Sequence, residues 1–130
     1  MKLISCGEVP APGGHYSHAV EAGGLVFVSG MLPSGNNQPP APFEAQVQSA
    51  LDHCSAVLAT AGCSFDDVVQ STVYLVGVEH WPVFNRLYAE RMGSHRPARA
   101  VVPVPALHHG FLVEIQMVAE RPGRAGAERE

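Results

Sequence analysis

The chain has 130 residues, of which 46% are hydrophobic and 15% charged, and its formal net charge at pH 7 is −4. This length and apolar content fit one domain with a packed core, whereas the acidic balance argues against nucleic acid as a partner, because nucleic-acid-binding surfaces are basic. No apolar run approaches the roughly 18 residues that a membrane helix needs, and glycine and proline interrupt the N-terminal segment before a signal-peptide core could form. We therefore expect a soluble cytoplasmic protein without nucleic-acid or membrane partners.

The low charge content is informative about assembly with other subunits, and the cysteines are informative about the redox compartment. Soluble domains have roughly 25% charged residues, so the lower value here predicts that other subunits cover part of the surface. Cys6, Cys54 and Cys63 form an odd set without C-x-x-C spacing, which is typical of a reducing compartment. Cys54 falls on the apolar face of a predicted helix, which favours a packing role over a nucleophilic one.

The first half of the chain predicts a strand and a long helix. The segment GGLVFVSG, residues 23–30, is typical of a short buried strand, and the proline- and asparagine-rich segment 31–42 is typical of a loop. From Phe43 to Ala61 apolar residues recur at helical spacing, and Gly62 follows where a left-handed cap is expected. This pattern predicts an amphipathic helix.

The second half predicts a strand, a helix and two more strands. Residues 68–76, VVQSTVYLV, are apolar in both alternating rows, as in a central strand. Residues 81–93, WPVFNRLYAERMG, show helical spacing, with a proline in the first turn and a glycine past the end. Residues 100–104 and 111–119 alternate as strands do.

This order of elements favours an α+β class, with a mixed sheet and two helices packed on one face. We expect a single domain over residues 1–120. The segment RPGRAGAERE, residues 121–130, has no apolar periodicity and predicts a flexible tail.

Two opposite charges near the last predicted strands are candidates for chemistry. Glu114 lies in the row of alternate residues of the last predicted strand that points away from the helices. If other subunits cover that row, the Glu114 carboxylate must be paired, solvated or functional, because burying a lone charge is costly. Arg99 follows a proline-alanine step that keeps the backbone extended, and its guanidinium fork suits a carboxylate. An ordinary exposed position is the alternative for both. If the two last strands pair as a hairpin through the turn LHHGF, residues 107–111, the two charges are roughly in register.

The histidines give little support for a metal. His15 and His18 are three residues apart in a glycine-rich loop without a nearby acidic residue, and adjacent residues such as His108 and His109 point apart in an extended chain. We expect no metal and no organic cofactor. A serine triad is also disfavoured, because no G-x-S-x-G segment is present.

Several segments together resemble the RidA/YjgF family of enamine and imine deaminases, a family that is also labelled liver perchloric-acid-soluble protein. The resemblance extends from about residue 5 to residue 120 and is carried by GGHYSHAV, LVFVSGML, FNRLYAERM, RPARAVVPV and GFLVEIQMVA. It implies a chorismate-mutase-like fold and a homotrimer whose sheets form a central barrel, with three sites in clefts between subunits.

The same resemblance implies roles for individual residues. Arg99 of the P-A-R step would hold the carboxylate of a small anionic substrate, and Glu114 of the last strand would activate water. Three residues of the G-x-Y-S and S-G motifs, Tyr16, Ser29 and Gly30, would line the cleft. The backbone of Val101, where the family often has cysteine, would contact the imine nitrogen.

The chain departs from the family pattern near the mouth of the expected cleft. His15 and His18 stand where the family often has proline and glutamine, and Met31 stands where an amide residue usually follows S-G. We expect His18 and Met31 to contact the substrate, so these changes bear on which side chain it carries.

The leading hypothesis is hydrolysis of 2-imino acids, or of enamine tautomers such as 2-aminoacrylate, to 2-keto acids and ammonia. One alternative is the same fold acting on another unsaturated amino acid, as in an aminomuconate- or aminoacrylate-type deaminase. Another is a carboxylate-binding sensor protein without turnover. Ribonuclease activity, a label attached to the family, is disfavoured by the acidic balance and the lack of a basic stripe.

Overall fold

A computed structural model describes residues 1–122 of the chain. Within this range six strands and two α-helices occur along the chain. Their bounds are β1 Lys2–Ile4, β2 Ala19–Ala22, β3 Leu25–Met31, α1 Phe43–Thr60, β4 Val68–Leu75, α2 Trp81–Met92, β5 Ala98–Pro103 and β6 Val113–Glu120. The strands form one sheet in the order β1-β2-β3-β6-β4-β5, in which β4 and β5 run parallel and the other pairs run antiparallel. The predicted α+β architecture with a mixed sheet is confirmed.

Both helices pack against the same face of the sheet, here called the helix face. The thiol of Cys54 in α1 lies 3.7 Å from the carbonyl oxygen of Ile115 in β6, and the hydroxyl of Tyr88 in α2 donates to Ser71 Oγ in β4 at 2.8 Å. Side chains of the opposite rows point to the other side, here called the open face. The buried helix-face residues of β4 and β6 are Val68, Ser71, Val73, Leu75, Val113, Ile115, Met117 and Ala119.

The long helix α1 forms where the periodicity predicts it and holds the start of β6. It ends just before Gly62, whose φ of 81° is the left-handed conformation that glycine adopts freely. The buried side chain of Gln46 accepts a hydrogen bond from the Leu112 N–H and donates to the Ala41 carbonyl. Cys54 is fully buried in the hydrophobic core, and burial raises the pKa of its thiol to about 12, so the structure favours the predicted packing role.

The order of the strands corrects one expectation. The last two strands do not pair as a hairpin, because β4 lies between β5 and β6. The helix α2 connects β4 to β5 as a crossover, and a crossover places two strands side by side in parallel. Arg99 is therefore opposite Ser71, and Glu114 is opposite Tyr74.

Two further observations concern the ends of the chain. The short strands β1 and β2 were not predicted. Arg121 is tied to the sheet through an ion pair with Glu21 at 3.1 Å, and the rest of the predicted tail beyond Pro122 lies outside the described residues. No helix within residues 1–122 is long and apolar enough to cross a lipid bilayer.

Candidate active site

A cleft of about 960 Å³ opens beside the end of β3 and the start of β6. Four parts of the chain line it: the N-terminal loop, the end of β3 with the loop that follows, His53 of α1, and the turn and first half of β6. The strand β3 carries a bulge here, since Val28 pairs with Met117 while Met31 pairs with Ile115. Bulges next to active sites redirect side chains and backbone, and this one brings Gly30 against Glu114.

Gly30 and Glu114 are in close contact. A Cβ atom added at Gly30 would lie 2.6 Å from Glu114 Oε2 and 3.1 Å from its Cδ. Only glycine therefore leaves room for the carboxylate in this position. The sequence-predicted residues Glu114 and Gly30 are thus brought together in the cleft.

The environment of Glu114 differs from that of a structural carboxylate. None of the ion pairs within residues 1–122 involves it. Burial raises the pKa of Glu114 above its usual range, and the charge of His108 partly offsets this increase. A carboxylate with a raised pKa is a better proton acceptor near neutral pH, so the group is suited to general-base chemistry.

Ser29 and Tyr16 also lie along the cleft. The Ser29 hydroxyl donates to the Ser17 carbonyl at 2.6 Å, and its backbone N–H donates to the His18 carbonyl at 3.0 Å. These bonds fasten the N-terminal loop to β3. Tyr16, the neighbour of Ser17, is 51% exposed, so its ring is accessible from the cleft.

The two residues that depart from the family pattern, His18 and Met31, line the cleft and are both buried. His18 Nδ1 accepts from the Cys6 N–H at 2.9 Å, and Nε2 lies 2.9 Å from the Pro10 carbonyl oxygen, to which it donates. His18 thus holds the loop that forms one wall, and contact with the substrate stays a prediction for both residues.

Arg99 and Val101 lie on the edge strand β5, away from this cleft. The guanidinium donates to Asn85 Oδ1 at 2.9 Å, and its carbon lies 5.1 Å from the centroid of the Tyr88 ring. These contacts place Arg99 on the helix side of the sheet, whereas Glu114 is on the open face. Within one chain the structure does not bring Arg99 and Glu114 together, so the expected proximity through a hairpin is wrong.

Three residues that sequence reasoning did not assign belong to this region. His108 and His109, considered only as metal ligands, line the cleft beside Glu114. Asn37, which is buried and has a φ of 62°, donates to the His109 and Gly110 carbonyls. The asparagine in this proline- and asparagine-rich loop was the available signal, because asparagine tolerates positive φ. No cluster of three potential metal ligands occurs in residues 1–122.

Known proteins are similar in sequence to this chain over nearly its whole length. The family described as Endoribonuclease L-PSP matches residues 6–121. A 2-iminobutanoate/2-iminopropanoate deaminase of Bos taurus is 35% identical over 121 residues, 91% of this chain and 88% of that protein. A RutC family protein of Pyrococcus horikoshii is 33% identical over 91% of this chain and 96% of its own.

A solved structure gives the same result for the fold. The YjgF protein of Escherichia coli matches with a TM-score of 0.84 at 28% identity, covering 93% of this chain and 99% of that one. This chain and the YjgF protein therefore share one fold. The chain belongs to the RidA/YjgF family, whose sequence description is Endoribonuclease L-PSP.

Proposed function

We propose that this protein hydrolyses 2-imino acids, and enamine tautomers such as 2-aminoacrylate, to 2-keto acids and ammonia. The observation that carries the proposal is the Glu114 carboxylate packed on Gly30 in a cleft, with a raised pKa and no ion-pair partner within residues 1–122. The deaminase name of the bovine relative supports the same reaction.

The chemistry requires one base and one anion-binding group. Glu114 accepts a proton as water attacks C2 of the imine and passes it to the nitrogen, which gives a carbinolamine. It then accepts the proton of the carbinolamine hydroxyl and passes it to the nitrogen as the C–N bond breaks, so that the keto oxygen forms and ammonia leaves. A positioned general base contributes about 100- to 10,000-fold. Arg99 binds the substrate carboxylate, and the Val101 backbone on the same strand contacts the imine nitrogen.

The separation of Arg99 from Glu114 favours a site shared between subunits. None of the residues within 1–122 that line the cleft is lysine or arginine, although the substrate is an anion. Arg99 is exposed at the sheet edge and is held by Asn85 and by the Tyr88 ring. A homotrimer in which each cleft receives Arg99 from a neighbouring subunit would complete three equivalent sites.

The open face of the sheet supports such an assembly. Phe27 is 44% exposed and Val102 is 37% exposed, and Val118 lies beside Phe27 in the register of β3 and β6. Apolar side chains on an uncovered sheet face favour subunit association. Three such faces closing on one another would form the central barrel.

The first test is a deaminase assay on freshly generated 2-iminobutanoate, with release of ammonia and 2-keto acid as the readout. We expect wild-type protein to accelerate release and Arg99→Ala to lose most of this activity. Arg96→Ala, a nearby exposed arginine, is the matched control and retains it. Wild-type protein that binds keto acids without turnover would contradict the proposal and favour a sensor.

Coexpression of two inactive variants tests the shared site. In a mixed trimer of Arg99→Ala and Glu114→Gln chains, one of the three clefts receives both native residues. Random mixing at equal amounts therefore restores about a quarter of wild-type activity if the arginine comes from a neighbour. If both residues act within one chain, the mixture stays inactive.

A further inference from the structure

Four histidines line the cleft, and they fall into two pairs. His18 and His53 use both ring nitrogens within the fold: His53 Nδ1 lies 2.8 Å from the Leu32 carbonyl oxygen, and Nε2 lies 2.9 Å from Ser34 Oγ. The rings of His108 and His109 are exposed and have no hydrogen bond among the described residues. Only this second pair has donors free to bind a ligand.

Hydrogen bonds from Asn37, in the loop that follows β3, hold the turn that carries His108 and His109. Asn37 Nδ2 donates to the carbonyls of His109 and Gly110, each at 3.1 Å, while its Oδ1 accepts from the Ala41 N–H at 2.9 Å. His109 has a φ of 60°, a conformation that is rare outside glycine and costs energy. Its ring meets Phe111 edge-on at 6.1 Å. The backbone that carries the pair is therefore held on the cleft wall by these contacts, while both rings are exposed.

The chemistry of the pair suits an anion. An imidazole ring donates an N–H hydrogen bond, and its protonated form donates from both nitrogens and carries a positive charge. Since the lining residues within 1–122 include no lysine or arginine, these two rings are the histidines of the cleft whose N–H donors are free to bind an anion.

We propose that His108 and His109 bind a second carboxylate at the far end of the substrate, so that 2-imino dicarboxylates are the preferred class. This inference rests on the proposed function, in which the first carboxylate is bound by Arg99 of a neighbouring subunit. The apolar wall formed by Met31, Leu32 and Phe111 accommodates the methylene groups between the two carboxylates. His108 and His109 are then specificity-determining residues rather than catalytic ones.

The test compares 2-iminoglutarate with 2-iminobutanoate, each generated in the assay by an amino-acid oxidase. We expect wild-type kcat/KM to be higher for 2-iminoglutarate. In the double variant His108→Asn/His109→Asn the ratio of the two kcat/KM values falls about tenfold or more, because a charged hydrogen bond contributes about 1.5–3 kcal/mol. Asparagine at position 109 tolerates the positive φ. His15→Asn, an exposed histidine that does not line the cleft, is the control. An unchanged ratio in the double variant overturns the inference.

A binding experiment separates this inference from the proposed function. If wild-type protein accelerates neither imine, the deaminase proposal fails, and calorimetry with 2-oxoglutarate and 2-oxobutanoate still tests the histidines. We expect the double variant to weaken 2-oxoglutarate binding about tenfold relative to 2-oxobutanoate. Equal weakening of both ligands, or of neither, overturns the assignment of His108 and His109.

Discussion

The two faces of the sheet differ in what their side chains do. On the helix face, Val73 and Ile115 are fully buried between strands and helices. On the open face, the same strands present Tyr74 and Gln116, which hydrogen-bond each other at 3.0 Å, and Glu114, which has no ion-pair partner within residues 1–122.

The difference arises from the alternation of a single strand. Successive residues of β6 alternate between fully and partly buried along its whole length, so one row stabilises the fold while the other is available for binding and chemistry. Since a one-residue slip in register would exchange the two rows, the packing of the helix face also fixes the position of Glu114.

Glu114→Gln tests the catalytic side of this comparison and has the largest expected effect. Glutamine preserves the shape but cannot accept the proton, so kcat/KM for 2-iminobutanoate falls about 100- to 10,000-fold while the far-UV circular dichroism is unchanged. Glu120→Gln, in the same row at the end of β6, serves as the control. A loss smaller than tenfold would show that the open face does not supply the base.

Leu51→Ala tests the structural side. Leu51 is fully buried in α1, and truncating a buried leucine costs about 2–5 kcal/mol. We expect this loss in urea denaturation at fixed protein concentration, whereas kcat/KM of the folded fraction stays within about twofold of wild type. Leu3→Ala, 65% exposed, changes stability by less than about 0.5 kcal/mol. A large activity loss in folded Leu51→Ala would mean that the two faces are not separable.

Much of the fold could be predicted because its main elements carry their own periodicity. The helices α1 and α2 and the strands β4 and β6 each span eight or more residues, enough for a pattern of period 3.6 or 2 to be visible. The strands β1 and β2 have three and four residues, too few to show one. The position of β4 between β5 and β6 depends on tertiary packing, so no local sequence pattern predicts it.

The candidate site could be predicted only in part for the same reason. Alternation along β6 placed Glu114 on the row away from the helices, which is where the structure has it. The face of Arg99 depends on its partner strand, so the sequence alone could not give it. His108 and His109 were missed because their position in the cleft depends on the buried Asn37, more than 70 residues away in the chain.

Gly30→Ala tests the difference between the two faces further, because it displaces the Glu114 carboxylate on the open face and leaves the packing of the helix face unchanged. The added Cβ would meet Oε2 at 2.6 Å, and this atom is the end of a flexible side chain that can move aside. We expect little change in stability, but a loss of about tenfold to 100-fold in kcat, because small misplacements of a catalytic group are costly. Gly7→Ala, whose Cβ would meet nothing within 4 Å, retains activity. Full activity of Gly30→Ala would exclude the observed carboxylate position as the productive one.

The smallest expected effect is on stability, because the partly buried, ionised carboxylate of Glu114 lowers the free energy of unfolding. Because burial raises its pKa in the folded protein, the folded chain binds this proton more tightly than the unfolded chain. The protonated Glu114 carboxyl therefore contributes most to stability below the pKa that it has in the unfolded chain. This contribution is lost as the pH rises through the pKa that it has in the folded chain. Glu114→Gln should therefore melt at a higher temperature than wild type at pH 7 and converge with it near pH 4. The difference is less than about 1 kcal/mol, since the carboxyl is only partly buried. Thermal denaturation across this pH range measures it, and a difference that shrinks as the pH rises would contradict the burial of the carboxyl.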